Sequence, residues 1–382
     1  LKRAVSLLEQ YDGKEPFSIY YKKAIALDKK VGSTDRKIIR HYCYALFRIG
    51  FACAEVPLEE RLLIAVYLVH GDTDPLIKLV RPEWVAKGAT SFEQRLALVC
   101  SAFSWHRVFP FPFTFSMALT LEEWAKSLLS QPAFFIRIRP GKQQQVINKL
   151  EEASIPFKIV SSSALALPAA TNLDAILALN KDYVVQDLSS QRVGEFLQPL
   201  LPDTIKSVWD CCAASGGKSL LLMDQYSSLE LTVSDVRPSI LQQLKTRFKQ
   251  AGINNYQALV LDLSQQGLPK KATRFDLVIA DVPCSGSGTW ARTPEQITKQ
   301  SEGILDEFTK RQRAILSRLP AALKPGGYLL YCTCSVFASE NEEQVAWIQR
   351  EFGLTLCQQT LLKGMAEQAD TLYVALLQKT SS

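Results

Sequence analysis

The chain has 382 residues, 47% hydrophobic and 21% charged, with a formal net charge of +6. That length suits two or three compact units, and the balance is that of a folded globular protein, which excludes a disordered chain. No apolar run reaches the roughly 18–20 residues that span a bilayer, and "LKRAVSLLEQYDG" is too short and too polar for a secretory signal, so a cytoplasmic protein without membrane association is expected. Nine cysteines, an odd number, argue against a disulfide framework and for free thiols. The three histidines, His41, His70 and His106, all lie in the first third. Chemistry in the last two thirds must work without a histidine base. The mild positive charge is compatible with a polyanionic partner.

Residues 1–127 read as helices, with apolar residues at mixed three and four spacings. Ser33, Thr34 and Asp35 resemble a helix start, after which Ile38, Ile39, Tyr42, Leu46 and Ile49 mark one apolar face. Lys29, Lys30, Arg36, Lys37, Arg40 and Arg48 surround that segment, as a solvated face or a surface for RNA. In "VFPFPFTF", residues 108–115, the prolines interrupt the helical ladder, which predicts a connection packed under or between helices.

Residues 128–170 form a second unit, a small α+β connecting subdomain. "AFFIRIRPG" alternates as a strand and stops at Pro140-Gly141, "KQQQVINKLEEAS" is a helix and "FKIVSSS" a further strand, giving a small β-α-β element. "DYVVQDLSSQRVGEFL" follows as a strand, a Ser189 cap and a helix. From about residue 206, "KSVWD", "ELTVSD", "YQALVLD", "FDLVIAD" and "GYLLYCTC" are strand-length apolar runs separated by helical segments. Alternation of this kind means a parallel, doubly wound sheet. "FGLTLCQQT" and "DTLYVALLQ" have no helix between them, which suits an antiparallel pair at one edge.

"DCCAASGGKS", Asp210–Ser219, ends like a phosphate loop, but that pattern needs glycine where Cys212 stands, and the dinucleotide pattern Gly-x-Gly-x-x-Gly is absent. What remains is a strand, a turn of small residues, two glycines and a helix. Such a turn lets a ligand approach the backbone at the carboxyl edge of a sheet. Three later strands end in Asp235, Asp262 and Asp281. A lone strand-terminal aspartate is usually a turn former, but three on one edge indicate an adenosine-bearing ligand, with Asp235 on a ribose diol and Asp262 beside the purine.

"ADVPCSGSG" follows the fourth strand of this pattern and "YCTCSVF" the fifth, so Cys284 and Cys334 should be neighbours beside the crevice. Metal binding is disfavoured because Cys332-Thr333-Cys334 is not a Cys-x-x-Cys pair. A redox pair lacks the same context. Nucleophilic catalysis fits best, since a thiolate near a carboxylate needs no metal.

Together "DCCAASGGKS", "SDVRP", "DVPCSGSGTWARTPE" and "LKPGGYLLYCTCSVFASENEEQV" resemble the motifs of the Sun/NOP family of S-adenosylmethionine-dependent RNA cytosine-5 methyltransferases, over roughly residues 180–380. The helical part is similar to the antitermination-factor-like RNA-binding domain of the bacterial RsmB type. The resemblance implies an α/β, Rossmann-like class I methyltransferase sheet in residues 171–382, behind the helical RNA-binding domain and the α+β subdomain. It makes Cys212, Ala213, Ala214, Ser215, Gly216, Gly217 and Lys218 the S-adenosylmethionine loop, with Asp235, Asp262 and Asp281 as further cofactor contacts. It makes Cys334 the nucleophile, Cys284 the second cysteine and Asp281 the acid facing the base. Ser215 stands where the family usually has proline, and Val282 where it usually has alanine. The implied partner is RNA, with ribosomal RNA ahead of transfer RNA, acted on by a monomer that uses no metal. A nonenzymatic assembly factor that keeps a vestigial cofactor fold is the alternative class. Lys and Arg of the helical part and of "WARTPEQITK" are expected to hold phosphates.

Overall fold

Apolar residues spaced three and four apart make helices of Lys2–Gln10, Phe17–Leu27, Ser33–Arg48 and Leu58–His70. The computed structural model describes the chain except residues 29, 90, 101–102, 118, 201–203, 266, 269–273 and 381–382, so Lys29 of the basic cluster lies outside the described residues. The chain divides into two units. The first comprises Leu1–Pro112, Leu119–Gln131 and Trp290–Glu302, and the second Phe113–Ala118, Pro132–Thr289 and Gly303–Ser382. Among the described residues, no helix is long and apolar enough to cross a membrane.

In the first unit the helix Ser33–Arg48 starts where its sequence signal lies, and Ile39, Tyr42, Leu46 and Ile49 are buried while Ile38 is exposed. Shorter helices carry their own start signals. Asp74 accepts from the Leu76 and Ile77 amides, and Ser91 and Thr120 each close a capping box. Arg48 departs from the expected basic face: it is only 4% exposed. Its guanidinium donates to the carbonyls of Leu128, Ser130 (3.0 Å) and Ala291 (3.0 Å) and to Gln131 Oε1 (2.7 Å). One side chain thus ties all three chain pieces of this unit together. Lys30, Lys37 and Arg40 remain exposed. Residues 108–115 behave in two ways. Phe109 packs on Trp124 and Trp290 inside this unit, whereas Phe113 and Phe115 belong to the second unit and pack on Phe337. The segment therefore does not lie wholly against helices, because Phe109 and Phe111 pack in the first unit and Phe113 and Phe115 in the second.

The second unit holds two sheets. Strands β1 (Phe134–Ile138), β2 (Lys158–Ile159), β3 (Ala164–Leu167) and β4 (Tyr183–Val185) form an antiparallel sheet in the order β2-β3-β1-β4. "FKIVSSS" contributes only a two-residue edge strand, and the partner of β1 is β3, whose sequence "ALAL" carries little strand propensity. β4 pairs antiparallel with β1, Ile136 facing Val185 and Ile138 facing Tyr183. The helix that follows is capped by Asp187, which accepts from the Ser189 amide; Ser189 is itself buried and donates to the Asp370 carbonyl.

The larger sheet comprises β5 (Ser207–Asp210), β6 (Glu230–Asp235), β7 (Tyr256–Val260), β8 (Phe275–Asp281), β9 (Leu323–Thr333), β10 (Thr355–Lys363) and β11 (Thr371–Gln378). Its order is β10-β11-β9-β8-β5-β6-β7, with β5 to β9 parallel and β11 antiparallel to both β9 and β10. This is the Rossmann-like class I methyltransferase architecture, with the expected antiparallel edge pair. Strands β5 and β8 are buried almost throughout, and β9 from Leu329 to Thr333, as strands covered on both faces must be. From β5 the chain runs outward through β6 and β7, then returns to lay β8 on the other side. The strand order reverses between β5 and β8, which is where open sheets of this kind bind ligands.

β5 ends in Asp210, fully enclosed, where desolvation pushes its carboxyl up to about 7; the Ser219 hydroxyl (2.6 Å) and the Lys218 charge oppose that push, and the Asp281 and Asp235 charges add to it. Its unfolded value is near 4. A folded value above the unfolded one means that the native state holds the extra proton between pH 4 and 7, and stability falls as pH rises through 7. Asp210→Asn is expected to remove this slope, raising stability at pH 8 relative to pH 5 by about 2–3 kcal/mol compared with wild type. Melting temperatures of both proteins across that pH range check it. Arg48→Met leaves buried carbonyls of the other two chain pieces without their donor, and urea denaturation should show a loss of about 3–5 kcal/mol.

Candidate active site

The loop after β5 is shaped by two backbone constraints. Gly216 has φ 81, and a Cβ there would stand 2.7 Å from Phe248 Cε1, so only glycine lets the helix Gly217–Gln225 start against Phe248 and Leu244. Upstream, the Ala213 amide donates to the Ser234 carbonyl (2.9 Å) and the Ala214 amide to Asp235 Oδ2 (3.0 Å). The aspartate ending β6 therefore holds the loop's own backbone. Burial would raise the Asp235 carboxyl, but the Arg237 guanidinium and the Arg237 and Ala214 amides outweigh it and hold Asp235 below the usual range. Ser215, the family departure, lies 3.4 Å by its Oγ from Arg247 Nη1. Cys211 is buried and Cys212 half-buried.

The remaining acids divide. Asp262 lies two residues beyond the end of β7, where it accepts from the Ser264 amide (2.9 Å) and hydroxyl (2.5 Å), which lower its pKa. It caps its own turn, although the preceding Leu261 amide donates to the Asp235 carbonyl and keeps that turn beside β6. Asp281, at the end of β8, pairs with Lys218 Nζ at 2.5 Å. Desolvation would strip Lys218 of its proton, but the Asp281 charge overrides it and the ammonium is held on more firmly than in water. The last residue of the glycine loop thus meets the acid of the neighbouring strand end across the point where strand order reverses. Spacing alone joined Lys218 to the loop and gave no sign of this pairing.

The two cysteine loops meet. Cys284 Sγ and Cys334 Sγ are 3.3 Å apart, each half-buried. Cys332, in β9, is packed into the core, where desolvation pushes its thiol up despite the Lys218 charge nearby. The Gly288 amide donates to the Cys334 carbonyl (2.9 Å), and a Cβ on Gly288 would fall 2.0 Å from the Thr371 carbonyl oxygen, so this approach also requires glycine.

Underneath lies a polar network that sequence reasoning did not single out. Glu340 is fully buried, and its carboxylate accepts from the Ser285 amide (2.8 Å), the Ser285 hydroxyl (2.6 Å), the Ser335 hydroxyl (2.6 Å) and Gln312 Nε2 (3.0 Å). Asn341 accepts from the Thr333 hydroxyl (2.5 Å) and donates to the Ser335 carbonyl (3.0 Å). The quoted "SENEE" run contained both residues, but an acid in a polar run reads as surface. Small hydroxyls flanking both cysteines were the available signal. The "WARTPEQITK" segment differs from its expected role: Trp290, Glu295 and Ile297 are buried in the first unit, and Lys299 is engaged with the Glu15 carbonyl and the Tyr11 ring.

Residues 197–375 match the family model for the 16S rRNA methyltransferase RsmB/F. The ribosomal RNA small subunit methyltransferase B of Xanthomonas campestris is 33% identical over 171 residues, covering 44% of this chain and 38% of that protein. The Vibrio vulnificus protein of the same name is 29% identical over 208 residues, covering 53% and 47%. The chain spans about half or less of the length of these relatives. Among solved structures, PH0851 superposes with a TM-score of 0.69 at 20% identity, covering 98% of this chain and 97% of its own. NSun6 from Pyrococcus horikoshii, solved with SFG, gives 0.59 at 15% identity, covering 69% and 94%. At such identities these two speak for the fold. The glycine loop, the Lys218–Asp281 pair and both cysteine loops all fall within the residues that are similar to the RsmB/F methyltransferase family.

Proposed function

We propose that this chain transfers a methyl group from S-adenosylmethionine to carbon 5 of a cytosine in RNA, small-subunit ribosomal RNA ahead of transfer RNA, through a covalent adduct with Cys334. The observation that carries the reading is the pair of thiols 3.3 Å apart at adjacent strand ends, on the sheet edge that also carries the Lys218–Asp281 pair. The name of the matched family and those of the relatives support RNA as the substrate.

The cofactor fits the residues present. Nothing lies within 4 Å of where a Cβ on Gly217 would stand, so the helix start is open to a ligand. Asp281, paired with Lys218, and Asp235, paired with Arg237, place carboxylate oxygens on this edge toward which a cationic sulfonium is attracted. Cys212 to Lys218 would hold the methionine end, Asp235 the ribose, and Asp262 the adenine side. When bound, S-adenosylmethionine supplies an electrophilic methyl group.

Carbon 5 of cytosine is a weak nucleophile, and covalent catalysis raises its electron density. The Cys334 thiolate adds to carbon 6, forming a C–S bond while the ring takes a proton at nitrogen 3. Asp281 accepts from the exocyclic amine, and the proton at nitrogen 3 comes from Asp281 or from its Lys218 partner. After methylation, water takes the carbon 5 proton and the proton at nitrogen 3 returns to the Asp281–Lys218 pair; the C5–C6 double bond re-forms, the C–S bond breaks and Cys334 leaves as the thiolate. Cys284, hydrogen-bonded to that sulfur, assists the release. The base leaves its stack to reach this edge. The helical residues 1–127, with Lys30, Lys37 and Arg40 exposed, serve as the RNA-binding domain, residues 128–170 as a connecting subdomain and residues 171–382 as the catalytic domain.

Tritium transfer from labelled S-adenosylmethionine tests the reading. Incorporation into ribosomal RNA lacking the modification is expected, incorporation into transfer RNA alone would change the substrate, and none in either would overturn the enzyme. Cys334→Ala should abolish transfer, by on the order of 1,000-fold or more. Cys284→Ala should instead accumulate a protein–RNA adduct that survives denaturing electrophoresis. Trapping by the Cys334 variant would reverse the two roles.

A further inference from the structure

A carboxylate removed from water is costly unless it is well paired, and it persists where several donors converge on it. Glu340 has four, and none is a cation. Two come from Ser285, which follows Cys284, and one from Ser335, which follows Cys334. The fourth, Gln312, also donates to the Pro283 carbonyl (3.1 Å), the residue preceding Cys284. Ser287 completes the arrangement by donating or accepting at Ser335 Oγ (3.3 Å) and by accepting from the Val336 amide (2.9 Å). Apart from the Gln312–Glu340 bond, each of these bonds fixes a residue one to three positions from a thiol.

We infer that Glu340 is a positioning residue for the thiol pair: its buried carboxylate locks the loops of Cys284 and Cys334 into one register and, by its negative charge, keeps the Cys284 proton in place as the donor to Cys334. Burial pushes the Glu340 carboxyl up, and the four donors around its two oxygens oppose that push and suit the ionised form. The ionisable groups acting on Cys284 are Cys334, Glu340 and, on the β9 strand, Tyr331, whose hydroxyl donates to the Glu340 carbonyl (2.5 Å). The hydrogen bond with Cys334, then burial, then the Cys334 and Glu340 charges push the Cys284 thiol well up, in keeping with this role.

The kinetic part rests on the methyltransferase reading, whereas the labelling part does not. The full-length protein, without RNA or cofactor, is treated with iodoacetamide across pH 7–10, and the alkylation of Cys284 is followed by peptide mass spectrometry. Glu340→Gln keeps the shape, and the serine hydroxyls can turn to accept from its amide, so folding should survive. Its Cys284 should alkylate about 10-fold faster at pH 8, with the half-maximal pH lower by about one unit. The exposed Glu343→Gln, an equal change of charge on the following helix, should leave the profile unmoved. In methyl transfer, Glu340→Gln should lower kcat on the order of 10-fold with KM for RNA nearly unchanged. An unchanged Cys284 profile in Glu340→Gln, or an equal shift in Glu343→Gln, overturns the inference. Should Glu340→Gln not fold, Ser335→Ala, which removes one donor, must move the Cys284 profile in the same direction by about 3-fold; no movement overturns the inference equally. Wild-type protein that labels as expected yet methylates no RNA would retire the methyltransferase reading alone.

Discussion

A single ammonium group, Lys218, stands among the acids that a parallel sheet delivers to one edge. Parallel strands all end on the same side, so residues that close them are brought together whatever their charge. Here β5, β6 and β8 each end in aspartate. Each disposes of its charge differently: Asp210 by taking up a proton near neutrality and bonding to Ser219, Asp235 by pairing with Arg237 and the loop amides, Asp281 by pairing with Lys218. Only the last pairing crosses the point where strand order reverses. It joins the glycine loop to the strand that leads into the Cys284 loop, and the site's geometry depends on it.

Below that edge the structure changes its means of cohesion. Apolar packing carries the sheet as far as Cys332, which belongs to the main core. Two residues later the chain is held by hydroxyls, amides and one buried acid. Polar networks of this kind are costly if any member is left unpaired, and correspondingly specific when they are complete. An apolar floor would tolerate small shifts of the two loops; a carboxylate with four directional donors does not. Backbone contacts add to the same end, with the Val282 amide on the Cys332 carbonyl and the Gly288 amide on the Cys334 carbonyl.

Much of this was legible in the sequence because it follows local rules. Strand-length runs of Val, Leu and Ile between helical segments dictate the parallel sheet, and the absence of a helix between "FGLTLCQQT" and "DTLYVALLQ" dictates the antiparallel edge. The neighbouring strand ends of Cys284 and Cys334 follow from that topology. What escaped depends on partners distant in the chain. Arg48 reads as one more surface cation until residues 128–131 and 291 close over it. Glu340 reads as part of a solvated run until Ser285 and Gln312 arrive from elsewhere. β3 escaped for a different reason: Ala-Leu-Ala-Leu fits a helix as readily as a strand, and only pairing with β1 decides it.

The division of the chain into units is not a cut at one place. Residues 113–118 leave the helical unit to pack with the sheet unit, and residues 290–302 leave the sheet unit to join the helices. The second excursion begins one residue after the Cys284 loop ends, and it buries Trp290 and Ile297. No single scissile position therefore yields two self-sufficient fragments. A fragment lacking the first 112 residues would carry an unclothed tryptophan immediately downstream of its own Cys284 loop. Gene fusions, truncations and shuffled chimaeras of this protein must treat the helical part and the segment 290–302 as one inherited unit.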